Sequence, residues 1–344
     1  MSNRNHTIDL LKTIAIIGVL TIHSCTGWNL YAIGSFNWLA NLFFGSVSRA
    51  SVPLFLMCSG VLMLNPEKEL SLRKLYTKSF FRIVAAMLFW SMAYKIFHMI
   101  GGEFSFAILL QAVKDVLLFR HEGHLYYLHI TILVYAFLPV TRVFVAHATK
   151  KQLEYFLAVW FFVGILYPTL SPFWPFTQLS GIPKQWLLNM SYAAIGYGVL
   201  GYYLRHFPSP KRLWYVVCGG LGFALVLGGT WFMSVRNGAY YGGFMEGMTV
   251  GVCLMAVGIF GFFSASRTEP GTNARAVIGF VSKASFCIYL VHMFWLHIFS
   301  ALGFRIEIFP VIFSVPLLVL ANLALSAVVY VCLSRIPVVK TLLI

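Results

Sequence analysis

The chain has 344 residues, of which 60% are hydrophobic and only 10% charged, and 25 Lys and Arg against 10 Asp and Glu give a formal charge of +15. A soluble protein carries roughly 25% charged residues, so this composition excludes a water-soluble globule. The basic residues lie mainly in short loops between apolar runs, which argues against nucleic-acid binding and is typical of a polytopic membrane protein.

The apolar runs predict ten spans, since each approaches the roughly 20 residues that a transmembrane helix requires. In chain order they cover 8–28, 40–64, 80–100, 124–146, 153–170, 186–205, 213–233, 241–263, 277–300 and 310–334. Residues 104–120 are amphipathic and predict a helix at the membrane interface rather than a span. We therefore expect an all-α polytopic fold with about ten transmembrane helices around a polar cavity, formed as a single domain over residues 1–344.

The distribution of charge predicts the orientation of the chain. Loops on the N-terminal side hold about three times as many Lys and Arg residues as the opposite loops, which places both termini in the cytoplasm. The first apolar run contains Asp9 and Lys12 and lacks a small-residue cleavage site, so we expect a retained first span rather than a signal peptide.

The first span carries Asp9, Lys12 and His23, and ionisable groups within a span are functional candidates because burying them is unfavourable. Lys12 and His23 are separated by about three helical turns, roughly 16 Å, and share one face of the helix. Lys12 can simply reach the membrane surface, and His23 can simply pair with another helix. The imidazole of His23 can instead act as a general base near neutral pH.

The second span contains Arg49, which requires a polar partner or cavity within an apolar run. Pro53 predicts a kink that frees a backbone carbonyl for such a cavity. Ser59-Gly60 either lines this cavity or marks a close contact between helices. Tyr126 can be an interfacial anchor at the start of the fourth span, but that role does not explain the neighbouring His124.

The ninth span places Ser285, Tyr289 and His292 on one helical face, because they lie at positions i, i+4 and i+7. Such a polar stripe either lines a cavity or joins two helices. The six cysteines form no CxxC pair and no His/Cys metal spacing, so we expect packing residues and no metal. These patterns do not separate an enzyme from a transporter, although a matched pair of interrupted helices, the usual mark of a secondary transporter, is missing from the sequence.

Taken in order, the motifs resemble the acyltransferase-3 family of bacterial membrane acyltransferases over essentially the whole chain. The similarity is greatest to the branch that contains the enterobacterial common-antigen O-acetyltransferase. The motifs are Ile8-Asp9-Leu10-Leu11-Lys12 followed by His23, Arg49 to Gly60, Lys78 to Arg82, His124-Leu125-Tyr126, and Ser285 to His292.

This sequence departs from the family pattern at three positions. The family usually has Arg in place of Lys12, which keeps the charge but loses the bidentate fork. Ser79 occupies one position of a common Arg-x-x-Arg motif, for which Lys78 can substitute, and Tyr126 replaces a common Trp.

The resemblance implies an O-acyltransferase that moves an acyl group, expected to be acetyl, from cytoplasmic acyl-CoA to a hydroxyl of a cell-envelope glycan or its lipid-linked precursor. The enzyme would lie in the bacterial inner membrane and use acetyl-CoA or another acyl-CoA as co-substrate, with no metal. The implied donor-binding residues are Lys12, Lys78 and Arg82, the implied catalytic residues are His23 and Arg49, and the other cavity candidates are Asp9, Ser59, His124, Tyr126, Ser285, Tyr289 and His292.

The same residues are compatible with other mechanisms and functions. No serine or cysteine elbow motif is present in the sequence, which favours direct transfer over an acyl-enzyme, but an acyl intermediate on His23 is a second route. A longer or acidic acyl group would suit the same motifs. The competing class is a polytopic transporter or flippase for an anionic or lipid-linked solute.

Overall fold

The computed structural model describes residues 5–100, 105–179, 181–266 and 271–344. Within these ranges the fold is all-α, without a strand. In chain order the helices are α1 His6–Ser24, α2 Phe36–Val47, α3 Ser51–Met63, α4 Leu72–Lys74, α5 Phe81–Met99, α6 Phe106–Leu117, α7 Tyr126–His147, α8 Lys150–Phe161, α9 Tyr167–Leu170, α10 Met190–His206, α11 Arg212–Asn237, α12 Val250–Ser264, α13 Thr272–Ala301, α14 Val311–Leu333 and α15 Pro337–Leu342.

Shorter helical segments connect or precede several of these helices. The π-helical segments Leu75–Phe80 and Phe162–Leu166 join α4 to α5 and α8 to α9. The 3₁₀ segments are Gly123–Leu125, Phe176–Gln178, Ile182–Trp186 and Gly243–Met245.

Nine helical stretches of the described chain are long and apolar enough to cross a membrane, which confirms a polytopic membrane fold. They are His6–Ser24, Phe36–Met63, Leu72–Met99, Gly123–His147, Lys150–Leu170, Arg212–Asn237, Gly243–Ser264, Thr272–Ala301 and Val311–Leu333. The predicted sixth span, 186–205, corresponds to α10, which has only 17 residues. At 1.5 Å per residue α10 is roughly 26 Å long, slightly short of a hydrocarbon core of about 30 Å.

The predicted interfacial segment 104–120 forms α6, a helix of 12 residues that is too short to span. It is held against α5 by Asp115, which accepts hydrogen bonds from Lys95 at 3.0 Å and from Gln111 at 2.8 Å. The hydrogen bond from the Lys95 ammonium lowers the pKa of the Asp115 carboxyl from its ordinary value. The position of α6 at the membrane surface stays a prediction.

The second predicted span is a broken helix. α2 ends at Val47, α3 begins at Ser51, and residues 48–50 form a turn between them. Pro53 lies in the first turn of α3, so the span that was predicted to kink at Pro53 is instead broken at residues 48–50, directly before it. The Ser48 carbonyl in this turn accepts hydrogen bonds from the Ser51 amide at 3.2 Å and from Ser51 Oγ at 2.6 Å.

α1 passes through the interior of the bundle and packs against α3, α13 and α14. Thr13 Oγ1 donates both to the Asp9 carbonyl at 2.9 Å and to the Ile278 carbonyl of α13 at 3.2 Å. A Cβ at Gly18 would overlap the hydroxyl of Ser51, so the missing side chain lets α1 approach the break between α2 and α3.

α3 and α10 contact each other through small residues, as helices in a membrane often do. A Cβ at Gly60 would overlap the backbone carbonyl of Gly198, and one at Gly201 would overlap the carbonyl of Met57. The helix-contact interpretation of Gly60 is therefore confirmed.

Substituting Gly60 should destabilise the protein through this contact. We expect Gly60→Ala to lower the Tm of the detergent-solubilised protein, because overpacking typically costs 1–3 kcal/mol. The matched control is Gly220→Ala in α11, where a new Cβ has no atom within 4 Å. The Tm values are measured by intrinsic fluorescence. Equal values for the two variants would contradict the observed packing.

Candidate active site

A cavity of about 1020 Å³ opens at the end of the bundle where α1 begins. Its walls come from α1, α3, α5, α7, α13 and α15, and from the π-helical segment that leads into α5. Seven residues singled out from the sequence line it: Asp9, Lys12, Ser59, Lys78, Arg82, Ser285 and Tyr289. These residues come from four separate parts of the sequence, and the fold brings them together.

Cations dominate the entrance of the cavity. Lys12, Lys78, Arg82 and Lys283 all line it, and Asp9 among them accepts a hydrogen bond from Ser282 Oγ at 2.6 Å. Charge-assisted hydrogen bonds from ammonium and guanidinium groups bind phosphate strongly. This entrance therefore suits a ligand that carries several negative charges.

The residues around α15 hold Arg82 in place. Arg82 Nη2 donates to the carbonyl oxygen of Ile344, and its guanidinium lies 5.5 Å from the centroid of the Phe286 ring. Trp90 Nε1 donates to the carbonyl of Leu343 at 2.9 Å, which anchors the same segment to α5. The orientation of this cation is thus set by protein contacts before any ligand binds.

The cavity follows one face of α1 towards His23. Lys12 and Val19 both line it, seven residues apart, and His23 follows Val19 by about one turn on the same face. His23 does not itself line the cavity. It lies directly beyond the inner end, next to a second group of polar residues.

This second group consists of three histidines, which we call the histidine cluster: His23 of α1, His124 of the turn before α7, and His292 of α13. The ring centroids of His23 and His292 are 5.0 Å apart, those of His124 and His292 are 5.1 Å apart, and those of His23 and His124 are 6.2 Å apart. His292 is fully buried and His124 nearly so. Each of the three histidines is a candidate site residue from the sequence, but the sequence does not predict that they contact one another.

Hydrogen bonds orient His292 within the cluster. Its Nδ1 lies 2.7 Å from the Tyr289 carbonyl, which assigns the proton to Nδ1 and leaves Nε2 as an acceptor. Asn322 Nδ2 donates to the His292 carbonyl at 3.0 Å, and Ser326 Oγ donates to Asn322 Oδ1 at 3.0 Å. The unprotonated nitrogen of a buried, oriented imidazole is thereby presented to the cluster.

Several ring nitrogens of the cluster are left for a ligand. Within the described ranges, His292 Nε2 and both ring nitrogens of His124 are enclosed without a hydrogen-bond partner. Leaving such groups unpaired costs roughly 1–3 kcal/mol each, a cost that is typically retained where a group must act on a ligand. The cluster can therefore accept and return protons.

Tyr289 forms the wall between the cavity and the histidine cluster. It lines the cavity, and its hydroxyl donates to the His124 carbonyl at 2.7 Å. Its ring centroid lies 5.8 Å from that of His124 and 6.2 Å from that of His292. The predicted stripe of Ser285, Tyr289 and His292 thus both lines a cavity and joins helices.

Arg49 and Tyr126 lie outside the cavity, beyond the histidine cluster. Arg49 occupies the turn between α2 and α3, and its charge acts on His23, Tyr126 and Tyr240. The Nε of Arg49 is enclosed without a partner among the described residues. Tyr126 does not line the cationic cavity, and its side chain is 38% exposed.

A second cleft, lined by aromatic residues, lies on the side of the histidine cluster that is opposite the cationic cavity. The rings of Trp28 and Tyr240 stack with centroids 4.3 Å apart, and both line a cleft of about 540 Å³. The sequence candidates therefore divide into three groups along one path: the cationic cavity, the histidine cluster, and the far side that holds Arg49 and Tyr126.

A family comparison gives this path a chemical context. The model of the acyltransferase-3 family, described as an acyltransferase domain, matches residues 5–331. The chain belongs to the acyltransferase-3 family. Membership confirms the resemblance at the level of the family and supports acyl transfer by a multi-pass membrane protein. Comparisons with curated proteins and with solved structures gave no match.

Sequence reasoning missed Lys283, although a lysine inside the predicted ninth span was a readable signal. It also missed Thr131 and Tyr135 of α7, which line the cavity but carry no charge that would mark them in a span. Their contribution follows only from the packing of α7 against the cavity.

The hydrogen bonds that link His292, Asn322 and Ser326 can be tested by measuring the stability of variants. Asn322 is fully buried, so Asn322→Ala should lower the Tm by removing its hydrogen bond to the His292 carbonyl and leaving the Ser326 hydroxyl without its acceptor. Adding Ser326→Ala should cost less in the double variant than it does alone, because the two residues share one network. Strictly additive decreases in Tm, measured for the three variants, would contradict this coupling.

Proposed function

We propose that this protein is a membrane O-acyltransferase that moves an acyl group, expected to be acetyl, from cytoplasmic acyl-CoA to a hydroxyl of a cell-envelope glycan or its lipid-linked precursor. The observation that carries the proposal is the path from a cation-lined cavity, along one face of α1, to three clustered histidines. Family membership supplies the reaction class, and the path supplies a role for each group of residues.

The cationic entrance suits the nucleotide part of acyl-CoA. Lys12, Lys78, Arg82 and Lys283 can bind its phosphates, and a cavity of about 1020 Å³ is large enough for a long ligand. Lys12 and His23 are separated by roughly 16 Å along α1, a distance that the flexible arm of the donor can cover. The thioester would then lie beside the histidine cluster.

His23 is the proposed general base. As the acceptor oxygen attacks the thioester carbonyl, its proton passes to the His23 imidazole, a C–O bond forms, and the C–S bond breaks. The departing CoA thiolate takes up the proton from His23. We propose that Arg49, whose charge acts on His23, stabilises the oxyanion that forms on the carbonyl.

The far opening suits a sugar acceptor. The stacked rings of Trp28 and Tyr240 offer an aromatic surface against which the C–H face of a sugar can pack. Glu246 is exposed on the same side, where its charge acts on Tyr126 and Tyr240, and it offers an acceptor for sugar hydroxyls. The acceptor would thus approach the histidine cluster from the side opposite the donor.

The proposal includes a location. The excess of Lys and Arg on the N-terminal side supports cytoplasmic termini in a bacterial inner membrane, with the donor cavity opening to the cytoplasm. We propose polysaccharides of the cell envelope and their lipid-linked precursors as the first acceptors to test, because the motifs of the sequence resemble the branch with the enterobacterial common-antigen O-acetyltransferase.

Transfer from labelled acetyl-CoA separates this proposal from the transporter alternative. Protein purified in detergent should hydrolyse acetyl-CoA or pass its acetyl group to an acceptor, whereas a transporter or flippase would leave the thioester intact. Donors with longer or acidic acyl groups, assayed side by side, identify the preferred group.

His23→Ala should reduce the transfer rate by about 10²–10⁴-fold, the usual contribution of a general base. The matched control is His147→Ala, an exposed histidine at the far end of α7 that should keep the wild-type rate. The rates are measured on proteins with equal Tm values. A His23→Ala variant that turns over like the wild type would exclude the assigned role.

Lys12 should act through its charge. Lys12→Arg should retain activity, whereas Lys12→Met should raise the KM for acyl-CoA by removing a cation from the cavity entrance. Lys151→Met, an exposed lysine of α8, is the control and should leave KM unchanged. If Lys12→Met also left KM unchanged, Lys12 would only be a residue that reaches the membrane surface.

A further inference from the structure

A second cluster of ionisable side chains lies outside the proposed active site, at the end of the bundle opposite the cationic cavity. It consists of His98 in the last turn of α5, Glu122 just before the turn that carries His124, and His297 near the end of α13. One metal-binding atom from each side chain lies within 4.8 Å of the others. Three separate elements therefore converge on one point.

The contacts within this cluster are close. His98 Nε2 lies 2.6 Å from Glu122 Oε1, and the His98 and His297 rings have centroids 4.9 Å apart at an interplanar angle of 81°. His297 Nε2 is enclosed and has no hydrogen-bond partner in the described part of the chain. The side chain of His98 is 44% exposed, so an ion can reach the group from solvent.

We propose that His98, Glu122 and His297 bind a divalent transition-metal ion, for which Zn²⁺ is the best match. Imidazole ligands favour Zn²⁺, Cu²⁺ and Ni²⁺ over Mg²⁺ and Ca²⁺, which prefer oxygen. Zinc–ligand bonds of about 2.0–2.2 Å require ligand atoms within about 4 Å of each other. The observed spread of up to 4.8 Å needs only small side-chain rotations to close.

Binding an ion here would tie three elements together and fix the turn that carries His124. Glu122 directly precedes the 3₁₀ segment Gly123–Leu125, and the ring of His124 is part of the histidine cluster. A metal at Glu122 would thus act as a clamp that positions His124 without touching the substrates. The metal site rests on side-chain geometry alone and does not depend on the acyl-transfer proposal.

Binding is tested on the full-length protein in detergent, carrying an affinity tag without histidines and freed of metal with EDTA. Titration with Co²⁺ should give visible d–d absorption that saturates at one ion per chain, and Zn²⁺ should displace it. His98→Ala and His297→Ala should each weaken Co²⁺ binding at least tenfold, because each removes one of the three proposed ligands. His147→Ala should bind like the wild type.

Stability provides the second measurement. Zn²⁺ should raise the Tm of the wild-type protein and of His147→Ala, but not that of His297→Ala. Equal Tm values of all variants in EDTA show that each one is folded. Absence of Co²⁺ saturation in the wild type, or unchanged binding in His297→Ala, would overturn the proposed site whatever the outcome of the acyl-transfer assay.

Discussion

The burial of α1 determines how the helices around it are arranged. Because α1 carries an acid, a lysine and a histidine through the interior of an otherwise apolar bundle, its neighbours must supply polar partners or an aqueous cavity. They do so at three levels: Ser282 binds Asp9 at the entrance, Thr13 binds the backbone of α13, and the histidine cluster surrounds the far end. The cavity lies along the polar face of α1, because exposing these ionisable side chains to lipid would be unfavourable.

The break between α2 and α3 lies next to α1 and contributes to the polar surroundings of this helix. Non-helical backbone at membrane depth is tolerated where protein surrounds it, and Gly18 lets α1 come close enough to cover the break. The turn carries Arg49, whose charge acts on His23, and Ser51 donates to the Ser48 carbonyl from both its amide and its hydroxyl. A continuous helix would have carried Arg49 on a regular helical face, and its position would then have followed from the sequence period alone.

The sequence predicted what depends on local pattern and missed what depends on packing between helices. Apolar length located the spans, and helical spacing placed Lys12 with His23 and Ser285 with Tyr289 on shared faces. Three features could be recognised only in the folded structure. They are the contact of histidines from three elements, the exposure of Tyr126, and the convergence of His98, Glu122 and His297. Residues far apart in sequence share no period that would reveal such contacts.

In the proposed mechanism, donor and acceptor reach the histidine cluster from opposite sides of the membrane. Sealed vesicles of known orientation test it most directly, with labelled acetyl-CoA supplied to one side and an acceptor glycan to the other. Transfer should occur only when acetyl-CoA is on the side of the cationic cavity, and the acetylated glycan should appear on the opposite side. Product confined to the donor side would contradict a route through the protein.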